Sequence, residues 1–204
     1  MESKPKTVRH KGDTLTPQEL KKILEKTMVK AIGAKSDELM KLILIRLLAV
    51  TGRRISEILS VKKKDIYLEE RLIKTKIEKR GDDQERVISF DEDTAKLLES
   101  YFAVKKLKPD DKVFDITRRH ASRVIQKFVK TECGVDKWVP PHAFRHSLVT
   151  YLRSLGWNDL DIIKVTGHRS ANSLRNYDHT TFFTVKNRFE DAMKSLTGGK
   201  DGRD

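Results

Sequence analysis

The sequence predicts a mainly α protein that carries one small three-stranded antiparallel sheet, an α+β domain. Apolar residues recur at helical spacing through most of the chain. Strand-forming residues broken by turn residues are confined to 65–90. A length of 204 residues suits one domain with its own core, and neither an internal repeat nor a long linker divides it.

The elements follow in order. Residues 1–13 hold Lys4, Lys6, Arg9 and Lys11 with almost nothing apolar and read as a basic flexible arm; the domain spans 14–197 and a disordered tail 198–204. Thr16-Pro17-Gln18-Glu19 starts a helix, with Thr16 as N-cap, Pro17 in the first turn and Glu19 closing a capping box. Ser36-Asp37-Glu38 opens a second helix whose dense apolar run makes it central to the core, and Thr51-Gly52 stops it, placing Arg54 at a helix–helix junction. Asp65–Leu68, Leu72–Lys79 and Glu85–Phe90 form a meander. Asp91 caps a helix to about Val104, and Thr117 caps another with Ala121, Val124, Ile125, Phe128 and Val129 on one stripe. Pro140-Pro141 fixes entry to a helix with Phe144, Leu148, Tyr151, Leu152 and Leu155 on its apolar face. Short helices follow at Asp159–Val165 and Ser170–Asn176, then a terminal helix over Thr184–Leu196 with Val185, Phe189, Met193 and Leu196 on one side.

Composition narrows the partner. Forty-three Lys+Arg against 30 Asp+Glu leave a net charge of +13, a surplus that attracts polyanions by long-range field and counterion release. The Lys- and Glu-rich surface with little Cys also matches a thermophile's habit, and the two readings are compatible. The single cysteine, Cys133, allows no internal disulfide and no cysteine zinc site. The apolar run Leu39–Val50 is broken by Lys41 and Arg46 and falls short of the ~20 residues of a bilayer span. The polar N-terminus lacks a leader's apolar stretch, so the expectation is a soluble, cytoplasmic protein without membrane contact.

The last third carries the chemistry. His142-Ala-Phe-Arg145, Gly167-His168 and Tyr177 follow one another, and Thr51-Gly52-Arg53-Arg54-Ile55-Ser56-Glu57 lies upstream. His142 and Arg145 fall together off their helix's apolar face, toward a cleft or solvent. His142 and His146 have the i, i+4 spacing of a zinc helix, but Phe144-Arg145 stands where the catalytic Glu of such a motif belongs, so no metal is expected. No Gly-x-x-x-x-Gly-Lys loop is present, and no cofactor is expected.

Thr-Gly-x-Arg-x-Ser-Glu, His-x-x-Arg, Gly-His and a Tyr nine residues on closely resemble the tyrosine recombinases, the phage-integrase and Xer-like enzymes, over residues 14–195. Each box is weak alone; four in order at near-family spacing are a strong signal. The resemblance implies that Arg54 and Arg145 grip the phosphate, that His142 and His168 are the active-site imidazoles and that Tyr177 is the nucleophile. Glu57 would support Arg54. The family's hairpin lysine falls at Lys79, with Lys76 as the alternative, on a turn one or two residues longer than the common pattern. One departure is length: the family's separate helical core-binding domain has no counterpart here beyond the basic arm, which puts tight site-specific binding by this chain in doubt.

Such a set suits covalent chemistry on a phosphodiester. Two guanidinium forks neutralise the non-bridging oxygens, an imidazole accepts the phenolic proton, and a lysine protonates the 5′ leaving oxygen. The implied function is a site-specific DNA recombinase or integrase that passes through a 3′-phosphotyrosyl intermediate, free of metal and ATP. Its partners would be double-stranded DNA and further copies of itself, joined as a dimer or tetramer through the C-terminal helix. The alternatives are a non-catalytic DNA-binding regulator descended from a recombinase and a topoisomerase IB-like relaxer.

Overall fold

The computed structural model describes residues 14–76, 85–166 and 179–197. Expectations for the arm, Lys79, the helix at 170–176, His168, Tyr177 and the tail lie outside the described residues.

Helix α1 (Pro17–Ala31) begins at the predicted capping box. The Thr16 hydroxyl accepts from the Glu19 N–H at 3.1 Å and the Glu19 carboxylate accepts from the Thr16 N–H at 2.7 Å. The same carboxylate takes Lys137 at 2.7 Å, tying the helix start to the segment that leads into Pro140-Pro141. Helix α2 (Ser36–Thr51) is buried from Leu42 to Thr51, which explains its dense apolar run, and ends on Gly52 at φ +59°, a left-handed conformation that a side chain disfavours.

Of the two charges that break that run, Arg46 stays inside the core. Its guanidinium is fully buried and donates to Asp91, to Asp93 at 3.0 Å, to the Thr94 hydroxyl at 3.0 Å and to the Leu24 carbonyl at 3.1 Å. A buried cation persists when its fork is filled in this way. The cluster joins α1, α2 and the start of α4 (Glu92–Lys105). Asp91 stands at the N-cap position of α4 as expected, yet its side chain does not cap the backbone: the carboxylate is taken by Arg46 and the Thr94 hydroxyl.

Short helix α3 (Ile55–Leu59) and a 3₁₀ turn at Lys63–Asp65 lead to the sheet. Its strands β1 (Ile66–Tyr67), β2 (Leu72–Lys76) and β3 (Glu85–Ser89) are antiparallel in that order, the predicted meander with a shorter first strand. Ile73 lies opposite Ile88 and Thr75 opposite Arg86; Ile73, Thr75 and Ile88 are buried, so this is the inner face. Strand β2 packs on α3 and β3 on α7 (Asp159–Thr166).

Helix α5 (Arg118–Thr131) starts at Thr117, whose hydroxyl accepts from the His120 N–H, and buries the predicted Ala121, Ile125, Phe128 and Val129. Helix α6 (Pro141–Ser154) lies against α1, α2 and α7. Being covered on several sides, it buries a wider arc than one apolar face, and the arc includes Arg145. Of the pair expected to face a cleft or solvent, His142 is exposed and Arg145 is buried. Leu155, expected on the apolar face, is the C-cap and is exposed, because the chain turns there toward Gly156 at φ +76°.

The terminal helix α8 (His179–Thr197) starts earlier than expected and packs against α1 and α7 of its own chain, burying Phe189, Met193 and Leu196. Arg71 pairs with Glu190 at 3.0 Å, and the Arg188 guanidinium lies over the Trp157 ring at 4.8 Å.

Candidate active site

The Thr51–Glu57 segment is a hinge between two helices. Gly52 lets it turn: a Cβ there would lie 3.1 Å from Leu148 Cδ2 and 3.5 Å from both Arg145 Cα and Thr166 Cγ2, so α6 and the end of α7 press against this position. The turn sends consecutive arginines in different directions. Arg53 goes inward, its side chain 1% exposed, and Arg54, the N-cap residue of α3, goes outward at 55%. Between them sits the Glu57 carboxylate, 9% exposed, with Oε1 accepting from Arg54 Nη1 at 3.0 Å and Oε2 ion-paired with Arg53 Nη1 at 3.7 Å.

Arg145 closes the site from α6. Its Nη1 donates to the Gly52 carbonyl at 3.1 Å and to the Thr166 carbonyl at 2.6 Å. One guanidinium thus joins the segment that carries Arg54 to the last residue before Gly167-His168. Burial, then repulsion from Arg54, lowers its pKa to about 10; Glu57 opposes the shift and Arg86 adds to it. Arg145 remains charged at neutral pH. This coupling puts Arg54, Glu57 and Arg86 within electrostatic reach of Arg145.

The structure therefore brings together Arg54, Glu57 and Arg145. His142 lies one helical turn before Arg145, exposed at the start of α6; its described ring contact is with His146, edge to face at 5.8 Å, rather than with the arginines. Lys79, His168 and Tyr177 lie outside the described residues. The sequence reading missed Arg53 and Arg86. Arg53 adjoins Arg54, and only the left-handed turn at Gly52 decides which of the two is buried. Arg86 had a legible signal, since strand alternation puts it on the same face as Ile88.

A second cationic feature lies on α5. Arg118, Arg119, Arg123, Lys127 and Lys130 line a groove of about 890 Å³ together with the exposed Trp138. No helix among the described residues is long and apolar enough to cross a membrane.

Residues 13–183 match the sequence model of the Phage integrase family. Among curated proteins, the chain is 34% identical to tyrosine recombinase XerA of Saccharolobus solfataricus over 87% of this chain and 58% of that protein. It is 28% identical to a tyrosine recombinase of Pseudothermotoga lettingae over 86% and 59%. The chain thus spans about three-fifths of the length of these relatives. Among solved structures, the crystal structure of XerA recombinase aligns with a TM-score of 0.62 at 23% identity, covering 99% of this chain and 68% of that one. The XerH recombinase in its post-cleavage complex with a palindromic difH substrate gives 0.65 at 24%, covering 93% and 55%. At these identities the structural likeness shows the fold alone. The family match runs through the Arg54 hinge and the Arg145 helix and extends past the expected nucleophile, and on that ground the chain belongs to the phage integrase family of tyrosine recombinases.

Proposed function

We propose that this chain is the catalytic domain of a DNA strand transferase that cuts and rejoins duplex DNA through a tyrosyl–DNA intermediate. The observation that carries this reading is that Arg145, 91 positions beyond Arg54, donates to the Gly52 carbonyl two residues before Arg54 and lies within electrostatic reach of Arg54 and of Glu57, the carboxylate that Arg54 holds. A phosphodiester is the ligand such a site suits, because its non-bridging oxygens accept planar forks and gain charge as the bond is attacked.

The roles are those the family resemblance implies, and the chemistry of each group suits them. Arg54 and Arg145 hold the non-bridging oxygens, with Glu57 supporting Arg54. His142 accepts the phenolic proton of Tyr177, whose oxygen bonds to phosphorus as the bond to the 5′ oxygen breaks. Lys79 protonates that leaving oxygen, and His168 donates a hydrogen bond to the phosphate. The 3′-phosphotyrosine conserves the bond energy, so a 5′-hydroxyl reverses the step without ATP or a metal. The α5 groove offers cations to the flanking backbone, with counterion release as the driving force.

Assembly on DNA is the finer part of the proposal. The face of α8 that is buried in cis can be buried equally on a neighbouring copy, a low-cost exchange of identical elements. Multimers on DNA that persist when the chain is truncated after Thr181, without α8, refute the exchange. Cytoplasmic, nucleoid-associated residence follows from DNA as partner.

The test uses a pool of nicked duplexes with randomised centres, incubated with the full chain and a chelator. Denaturation-resistant protein–DNA adducts enriched in one sequence support site-specific recombination. Adducts without sequence preference, together with supercoil relaxation, favour a relaxer. DNA binding without adducts favours a non-catalytic regulator.

A further inference from the structure

We infer that Arg53 is a positioning residue for Arg54: by setting its charge against one oxygen of Glu57, it keeps the outer guanidinium from closing a two-pronged pair with that carboxylate and leaves the fork open to an anion. This rests on the phosphate-binding role proposed above for Arg54.

The argument starts from geometry. A guanidinium and a carboxylate prefer two parallel hydrogen bonds, which consume the edge that would otherwise bind phosphate. Arg54 and Glu57 lie three residues apart on one short helix turn, close enough for that pairing, yet their contact is a single bond from Arg54 Nη1 to Oε1 at 3.0 Å. The second oxygen faces Arg53 Nη1 at 3.7 Å. Burial separates the two arginines: the Arg53 side chain is 1% exposed and that of Arg54 55%. Arg53 is itself fixed at the backbone, its N–H donating to the Thr51 hydroxyl at 3.3 Å. Its guanidinium compensates the buried Glu57 charge from within, so the carboxylate need not draw Arg54 inward for that purpose. Arg53→Met should let Arg54 swing onto both oxygens, whereas Arg53→Lys keeps a cation at Oε2.

The test reads Arg54 itself, with inorganic phosphate as the probe. The Arg54 Nε–H signal is assigned in a ¹⁵N correlation spectrum of the full chain by its loss in Arg54→Lys, and phosphate is titrated at constant ionic strength. Thermal melts and the remaining amide signals establish that each variant is folded. Arg53→Met should weaken phosphate binding at Arg54 by about tenfold, the worth of one charge-assisted hydrogen bond, and Arg53→Lys should restore most of it. In a Glu57→Gln background, where no carboxylate competes for Arg54, Arg53→Met should change binding by less than about twofold. Equal weakening with and without the Glu57 charge overturns the inference, as does unaltered binding in folded Arg53→Met. Phosphate binding that follows this pattern in a protein that forms no DNA adduct sinks the functional reading and leaves the role of Arg53 standing. Adducts formed at wild-type rates by Arg53→Met sink the inference alone.

Discussion

The Arg145 guanidinium donates to the Gly52 carbonyl at 3.1 Å, a bond across 93 residues that fixes the Arg54 hinge to the helix carrying the second arginine. Because the same nitrogen also holds the Thr166 carbonyl at 2.6 Å, Arg145 is both a charge for the site and the fastening of two of its walls. Arg145→Lys retains a charge but cannot reproduce the fork. It should lower adduct formation by at least about a hundredfold, measured as single-turnover cleavage of a nicked duplex, while the chain stays folded by circular dichroism.

Gly52 is the narrowest point of this arrangement. Gly52→Ala puts a Cβ at 3.1 Å from Leu148 Cδ2 in a residue held at φ +59°. A loss of about 1–2 kcal/mol is expected from the left-handed backbone alone, read as a lower urea midpoint. Since the hinge carries Arg54, cleavage should fall by more than the unfolded fraction explains.

The charge on Arg145 costs the free protein stability. Burial and Arg54 lower its folded pKa to about 10, below the ordinary guanidinium range, so between the folded and the unfolded pKa the unfolded chain binds the extra proton more readily. The penalty is complete at neutral pH and fades as pH rises through that window. A bound anion should offset it at pH 7. Phosphate at constant ionic strength should raise the melting temperature of the wild type more than that of Arg145→Met, and equal increments would contradict this.

The Arg46 cluster is a structural device apart from the site. Removing the cation in Arg46→Met leaves the Asp91 carboxylate without its buried partner, at a cost of about 3–5 kcal/mol in urea unfolding. Lys96→Ala, which removes an exposed i, i+4 pair with Glu92, should leave the midpoint unchanged.

Cys133 is buried, and desolvation raises its thiol pKa to about 11. At pH 8 the native protein should react with a disulfide reagent far more slowly than the protein in urea, because little thiolate forms. Equal rates would place the thiol at the surface.

Most of the helical framework was legible in the sequence. The Thr16–Glu19 capping box, the Gly52 stop, the α5 stripe and the order of the meander all arise from local rules of spacing and backbone conformation, and these hold here. Tertiary packing overrode the pattern where a residue meets several elements. Arg145 sits off the apolar face of its helix, yet it is buried because α6 is covered on several sides. Asp91 occupies a capping position, but the nearby cation of Arg46 claims its carboxylate. The pairing of Glu57 with Arg54 was expected from the family resemblance, and the inward turn of Arg53 was not, since it depends on the conformation of one glycine.

The most direct test of the central claim is the identity of the residue joined to DNA. A nicked duplex recovered from the randomised pool is incubated with wild type, Tyr177→Phe and Tyr151→Phe, and the DNA-linked peptide is mapped by mass. Tyr151 packs in the core with its hydroxyl donating to the Ala192 carbonyl at 3.2 Å, so its loss should cost about 1 kcal/mol of stability and leave the adduct intact. The account predicts a 3′-phosphate ester on Tyr177 that Tyr177→Phe abolishes. An adduct that survives in Tyr177→Phe, or one that maps to another residue, contradicts it.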